Sequence, residues 1–259
     1  MAESDVLFGM RDLSFCYGET PVLRNIDARL PRGSFTAIIG PNGAGKTTLL
    51  NLLNGYLKPT AGSIEFRDRP LEEYGIRELG TMVALVSQET SFRFPFTCFD
   101  VVQMGRAPYR GRLEKPSEED MELVRRCMDA TDTLKFARKS ITELSGGEKQ
   151  RVILAKALAQ TPRVMLLDEP FSAMDMHYML DFLGILRSGV REGRFDVLAV
   201  MHDLHMVSSF SDTVIALDEG RVVRSGSAGD VLTPEFLHGL FGVRLERFGE
   251  RGLVLMTDP

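Results

Sequence analysis

Phe35-Thr36-Ala37-Ile38-Ile39-Gly40-Pro41-Asn42-Gly43-Ala44-Gly45-Lys46-Thr47-Thr48 is the stretch that decides the architecture. Phe35–Ile39 is short and almost wholly apolar, which suits a strand buried on both faces. The pattern G-x-x-x-x-G-K-T follows, and a helical pattern runs on from Lys46 to Leu53. Strand, loop and helix in that order are the context in which this spacing holds phosphate. Glycines let the backbone curl so that amide N–H groups converge on phosphate oxygens, and the helix N-terminus adds partial positive charge. Lys46 can reach β- and γ-oxygens, and the Thr47 hydroxyl can ligate Mg²⁺. The candidate nucleotide-binding residues are therefore Gly40, Pro41, Asn42, Gly43, Ala44, Gly45, Lys46, Thr47 and Thr48. A phosphate loop does not by itself separate kinases, GTPases and motor ATPases.

Outward from this loop the same texture recurs. Met82–Val86, Val164–Leu167, Val197–Met201 and Val214–Leu217 are further short apolar runs. Helical patterns lie between them, so a parallel sheet covered by helices is expected. The N-terminal part differs. Val6–Tyr17, Arg24–Leu30 and Ser63–Phe66 are short β-type segments, the first two alternating apolar and polar residues, as antiparallel strands with one wet face do. From about Ser91 to Thr161 the strand signal lapses. That region carries Pro95, Pro108 and Pro116, a charged helical stretch from Ser117 to Ala130, and an apolar-faced helix from Glu148 to Ala159. Ser117 with Asp120 loosely resembles a capping box. A mostly helical insertion beside the main sheet follows from these features.

Composition excludes several classes. The chain has 259 residues, 44% of them hydrophobic, which suffices for a sizeable core. Its 36 acidic and 31 basic residues give a net charge of -5, and basic clusters such as Arg106–Arg112 are short and interrupted. A nucleic-acid partner is not expected on that balance. Cys16, Cys98 and Cys127 are far apart and odd in number, so neither a disulfide framework nor a metal spacing is read from them; a reducing setting fits. The first residues, Met-Ala-Glu-Ser-Asp, lack an apolar signal region. No apolar run approaches the ~20 residues that span a bilayer, so any role at a membrane is expected to run through a partner.

Further residues narrow the chemistry. In Leu144-Ser145-Gly146-Gly147-Glu148-Lys149-Gln150-Arg151, a serine hydroxyl and two glycine amides stand at a helix start. That arrangement makes an anion site, although in isolation it reads first as a flexible N-cap. This stretch resembles the signature motif of ABC ATPases. The resemblance implies that Ser145, Gly146, Gly147 and Glu148 contact the γ-phosphate of ATP held by an opposing subunit, which makes a dimer necessary for hydrolysis. Val164–Glu169 resembles a Walker B element, in which Asp168 holds Mg²⁺ and Glu169 polarises the attacking water. Gln88 matches the Q-loop glutamine, which touches Mg²⁺ and senses the membrane partner. Ser172-Ala173-Met174-Asp175 matches the D-loop, with Met174 where leucine is usual, a swap that conserves volume. His202 matches the switch histidine, and Tyr17 matches the aromatic that stacks on adenine. The implied catalytic group is Glu169, His202, Gln88 and Lys46; the implied metal ligands are Thr47, Gln88 and Asp168; the cofactors are ATP and Mg²⁺. Gln88 and His202 also follow two expected parallel strands, the end at which open α/β sheets bind ligands.

The implied fold is α/β, a P-loop NTPase of ABC ATPase type. It has a mostly parallel RecA-like sheet, an N-terminal antiparallel β subdomain and a helical insertion. One ATPase domain would span 1–259, with 1–90 and 162–259 as catalytic core and 91–161 as the helical subdomain bearing the signature. The segment Phe94–Arg106 resembles the region after the Q-loop in importers of iron–siderophore, haem and cobalamin type, where the permease docks. Phe94, Phe96 and Phe99 read equally as core of the insertion. Thr233–Val243 and two short strands after it resemble the ending of the same importers. The expected assembly is a homodimer under two permease copies contacting roughly residues 88–110, served indirectly by a substrate-binding protein, peripheral on the cytoplasmic face of the membrane. A free-metal-ion importer, an exporter with separate subunits and a soluble ABC ATPase of DNA repair or translation remain alternatives.

Overall fold

The alternating N-terminal pattern builds antiparallel strands, β1 (Val6–Tyr17) and β2 (Thr20–Pro31), the second starting earlier than its pattern suggested. The computed structural model describes residues 5–88, 92–111 and 114–242, and the backbone of 245–248 and 252–255. Residues 89–91 of the expected permease surface, Arg112 and Val243 lie outside the described residues. The chain divides into two compact units, Met1–Tyr74 with Asp196–Pro259, and Gly75–Phe195.

In the first unit, β1 lies between β2 and β4 (Ala61–Phe66), with β5 (Arg69–Pro70) at the edge, and the sheet is antiparallel throughout. Phe8, Met10, Leu13 and Phe15 turn to the core, and Phe8 stacks on Phe66 at 4.8 Å. The phosphate-loop strand is β3 (Phe35–Ile39), buried at all five positions. It leads through the loop into helix α1 (Lys46–Leu53).

The second unit opens with α2 (Ile76–Met82) and β6 (Val83–Val86), so Met82 closes a helix rather than opening the strand. It continues through α3 (Cys98–Gln103), α4 (Glu118–Ala130) and α5 (Gly146–Ala159). These three pack around Cys98, Val101, Val102, Val124, Met128, Ile141 and Val152. Ser117 accepts the Asp120 amide at 3.1 Å, as its pattern anticipated, and a complete capping box forms at Thr97 and Asp100. Gly105 is forced by packing: a Cβ there would lie 2.4 Å from the Lys156 carbonyl oxygen of α5. Arg106, beside it, donates to Asp120 at 2.7 Å and to the Ala159 carbonyl at 2.9 Å, tying the chain after α3 to both α4 and α5. Strand β7 (Val164–Asp168) pairs in parallel with β6, and α6 (Met176–Arg191) completes the unit.

The chain then returns to the first unit. Strand β8 (Asp196–Val200) and β9 (Thr213–Asp218) flank β3 in parallel, with α7 (Leu204–Phe210) between them in sequence. Asp196 accepts the Gly33 and Ser34 amides and Asp212 the Phe35 amide, which fixes where β3 begins. Burial raises the Asp196 pKa, and the two amide bonds only partly oppose it. Strand β10 (Arg221–Ser227) adds to β9 antiparallel. Two short helices follow, α8 (Ala228–Val231) and α9 (Pro234–Phe241), the latter ended by Gly242 in the left-handed region. A hairpin of β11 (Leu245–Phe248) and β12 (Gly252–Leu255) comes last, as the tail reading expected. Among the described residues no helix is long and apolar enough to cross a membrane.

Candidate functional site

In the first unit, β3 is the middle of three parallel strands, and the loop leaves its carboxyl end. Gly40 takes φ +151°, and a Cβ on it would lie 2.0 Å from the Leu217 carbonyl oxygen of β9. Only glycine lets the chain turn there. Gly43 and Gly45 also hold positive φ, +81° and +95°. Gly45 caps α1 without a side-chain acceptor, and no acid occupies the first turn. The positive end of the helix macrodipole is therefore left for an anion, which is what a phosphate cradle requires. Lys46, only 6% exposed, donates from Nζ to the Gly40 and Pro41 carbonyls, both at 2.8 Å, so its ammonium sits inside the loop. Thr47 is exposed and Thr48 buried.

His202 leaves the end of β8, immediately beside the loop strand: Met201 donates its amide to the Ile38 carbonyl at 3.2 Å. Its own side chain is exposed. Asp203 caps α7 through the His205 and Met206 amides, which sets where His202 leaves the strand. Tyr17 ends β1 with its ring 52% exposed and braced edge-on by Phe15 at 4.8 Å. A half-exposed aromatic on a fixed strand end can offer a face to a planar base.

The second unit brings together another set. Strands β6 and β7 run parallel in register, Val86 opposite Leu167, so the residues after them emerge side by side. Gln88 Nε2 donates to Glu169 Oε2 at 2.8 Å across 81 positions of sequence. Glu169 holds φ +48°, an uncommon conformation for a residue with a side chain. Such strain concentrates where a side chain must be aimed rather than packed. Asp168 is 4% exposed at the strand end. Hydroxyl, carboxylate and amide oxygens, as on Thr47, Asp168 and Gln88, are the hard donors that suit Mg²⁺.

Ser145 caps α5 in a complete capping box with Glu148: its amide and hydroxyl both donate to Glu148 Oε2 at 2.8 Å. These two bonds lower the Glu148 pKa. Gly146 and Gly147 lie against the segment that follows β7, and a Cβ on Gly147 would come 2.8 Å from the Ala173 carbonyl oxygen. Gly147 of the signature stretch is thus required by its contact with Ala173, whereas a Cβ on Gly146 would meet the Ala173 side chain at an ordinary 3.6 Å. Asp175 then caps α6 by accepting the Tyr178 amide.

Sequence reading overlooked the residues that hold this turn from behind. Arg151 of α5 is buried, donates to Asp132 Oδ2 at 3.0 Å and stacks 3.7 Å over the Tyr178 ring of α6. The only available signals were the arginine that ends the signature stretch and the Thr131-Asp132-Thr133 break after α4. The aromatic segment after the Q-loop resolves into two roles that its sequence left open. Phe99 packs on the helical core, whereas Phe94 and Phe96 are 66% and 40% exposed. Arg106 faces inward to Asp120 rather than outward.

Comparison with known proteins agrees with this arrangement. The sequence profile described as "ABC transporter" matches residues 23–172, more than half of the chain. That span includes the phosphate loop, Gln88, the signature turn and both carboxylates, and leaves out Tyr17 and His202. The hemin import ATP-binding protein HmuV of Escherichia coli O157:H7 is 38% identical over 84% of this chain and 85% of its own length. The ferric enterobactin transport ATP-binding protein FepC of Escherichia coli K12 is 34% identical over 94% and 90%. A chain from an ABC transporter solved in an inward-facing conformation superposes with a TM-score of 0.82 at 26% identity, covering 98% of both chains. The fold is that of P-loop ABC ATPases, with a mixed RecA-like sheet, an N-terminal antiparallel part and a helical insertion, and this chain is a member of the ABC transporter family, an ATP-binding and ATP-hydrolysing subunit.

Proposed function

We propose that this chain energises the import of a metal chelate, of the haem, ferric-siderophore or cobalamin class, through a separate membrane permease, and that it works as a homodimer. One ATPase domain spans the chain, with 1–90 and 162–259 as the catalytic core and 91–161 as the helical subdomain. The observation that carries the reading is the pairing of Gln88 with a backbone-strained Glu169, in a chain 38% and 34% identical to a hemin and a ferric enterobactin ATPase.

ATP binds with its phosphates on the amides of Gly40–Thr48 and its adenine on Tyr17. Lys46 exchanges its two carbonyl acceptors for β- and γ-phosphate oxygens. Thr47, Asp168 and Gln88 would hold Mg²⁺, and its charge would offset that on the phosphate oxygens. Glu169 orients the attacking water and draws off its proton, and the Gln88 amide keeps the carboxylate aimed. His202 contacts the γ-phosphate. Phosphoryl transfer asks for placement and charge more than for covalent chemistry, and these groups supply both.

Ser145–Glu148 serves the ATP of the opposing chain, so the nucleotide forms much of the interface and dimerisation depends on ATP by mass action. The exposed Phe94 and Phe96 belong to the permease-facing surface of residues 88–110. Aromatic side chains on a rigid edge suit a groove that grips a partner helix. The chain sits peripherally on the cytoplasmic face of the membrane, and a binding protein serves it only indirectly.

Glu169→Gln removes the base and keeps the shape. It is expected to bind ATP, hydrolyse it very slowly and run as an ATP-dependent dimer on a sizing column; a species monomeric at every ATP concentration refutes the two-chain site. For the cargo, the co-expressed permease and this chain are reconstituted, and ATPase stimulation is measured with haem, a ferric siderophore, cobalamin or free Fe and Zn ions. Stimulation by the free ions alone overturns the chelate assignment.

A further inference from the structure

Resting on the two-chain reading above, the signature turn must meet a phosphate that its own chain does not hold. Its aim is then set by how α5 is anchored. The N-terminus of α5 touches residues 172–175 through Gly146 and Gly147. Its second anchor is Arg151, six residues into the helix from Ser145, about 9 Å along the axis.

Arg151 is buried, so its guanidinium requires partners. Nη1 donates to the Asp132 backbone carbonyl and to Asp132 Oδ2, each at 3.0 Å. The Tyr178 hydroxyl donates to the same oxygen at 3.2 Å, and Lys135 donates to it at 2.6 Å. The guanidinium also stacks 3.7 Å over the Tyr178 ring. Tyr178 lies in the first turn of α6, whose cap, Asp175, ends the D-loop segment. Asp132 itself takes φ +51° after α4, and its carboxylate is half exposed, reaching Arg151 from the surface side. One oxygen therefore gathers the end of α4, the signature helix and the D-loop helix.

We propose that Asp132 is a positioning residue for ATP hydrolysis: by binding Arg151 and Tyr178 together it locks the Ser145–Gly147 turn and residues 172–175 into one rigid body. A helix freed at Arg151 tilts about its core contacts at Val152 and Ala155, at the far end of that lever from the turn. A tilt of about 10° over that 9 Å lever displaces the turn by about 1.5 Å. Misplacement of this size costs on the order of 10²-fold where it reaches a reacting group in full. The phosphate loop belongs to the other unit, so binding of nucleotide by a single chain does not depend on this lock.

Two variants test it, each built in the wild type and in the Glu169→Gln background. Asp132→Asn keeps the size and tolerates the positive φ, but removes the charge. Tyr178→Phe keeps the ring stack and removes only the hydroxyl. The expected result for Asp132→Asn is a kcat lower by about tenfold and an ATP concentration for half-dimerisation higher by a similar factor, with ADP affinity unchanged. Tyr178→Phe is expected to show the same split at about threefold. Lys135→Ala touches the same carboxylate from the exposed side and is expected to stay within about twofold of its parent in every reading.

The proposal is overturned if both variants dimerise at the ATP concentration of Glu169→Gln alone with wild-type kcat. It is also overturned if ADP affinity and melting temperature fall in step with kcat, the mark of general destabilisation. Should Asp132→Asn not fold, Tyr178→Phe decides. Failure of Glu169→Gln itself to dimerise with ATP overturns the two-chain reading, and this proposal with it.

Discussion

Replacing Gly40 by alanine tests the structural basis of the phosphate loop more sharply than replacing any residue that touches ligand. The glycine holds φ +151°, a conformation that costs about 1–3 kcal/mol for a residue with a side chain. The new Cβ would also lie 2.0 Å from the Leu217 carbonyl oxygen. That oxygen belongs to β9, which is fixed to β3 by a parallel ladder with Ile39 opposite Ala216, so it cannot withdraw cheaply. Overpacking of a closed interior adds about 1–3 kcal/mol. Together the expected loss is about 2–6 kcal/mol. At about 2–4 °C per kcal/mol for a chain of this size, the melting temperature falls by about 4–24 °C. Gly43→Ala is the internal control. It shares the positive φ, but its Cβ would meet nothing within 4 Å, and it is expected to cost only about 1–2 kcal/mol. Differential scanning calorimetry of both variants, with ADP titrated into each, measures the two effects. If Gly40→Ala melts as high as Gly43→Ala, the β9 carbonyl does not limit this position and the reasoning fails.

Two further outcomes are expected. Lys46→Ala should abolish tight nucleotide binding by the isolated chain; an unchanged affinity by isothermal titration removes the phosphate-loop assignment. The Arg106–Asp120 pair is mostly buried, with side chains 12% and 13% exposed, so Asp120→Ala leaves the guanidinium its Ala159 and Thr161 acceptors but no countercharge, and is expected to cost about 3 kcal/mol near neutral pH. Burial by itself would raise the Asp120 pKa, but the Arg106 bond and charge, aided by Ser117, outweigh it and leave the pKa lowered. A lowered carboxylate contributes stability above its unfolded pKa of about 3.9, and that contribution disappears as pH falls through the folded value. The stability gap between wild type and Asp120→Ala in urea titrations should therefore narrow below about pH 4; a gap that stays constant to acid contradicts the pairing.

Much of this protein was legible one segment at a time. The phosphate loop could be read because its chemistry is done by contiguous backbone: the nine successive residues after the strand carry the turn, the amides and the lysine. The capped start of α5 at Ser145 and the buried strands β3, β7 and β8 were legible for the same reason, since capping and burial on both faces leave local marks in composition. Boundaries were less secure where two tendencies met, as at Met82, which its apolar neighbours assigned to a strand and which α2 claimed instead.

Only the tertiary structure decided which side chains meet. Gln88 and Glu169 are 81 residues apart, and Asp132 and Tyr178 are 46 apart. No periodicity links such pairs; they meet because parallel strands bring their ends level or because three helices converge on one buried guanidinium. The same holds for the aromatic segment. Phe94, Phe96 and Phe99 look alike in sequence, and packing alone places Phe99 on the helical core while Phe94 and Phe96 face outward. Local chemistry thus follows from the order of residues, whereas the pairing of distant groups follows from burial, which sums over contacts that no single segment contains.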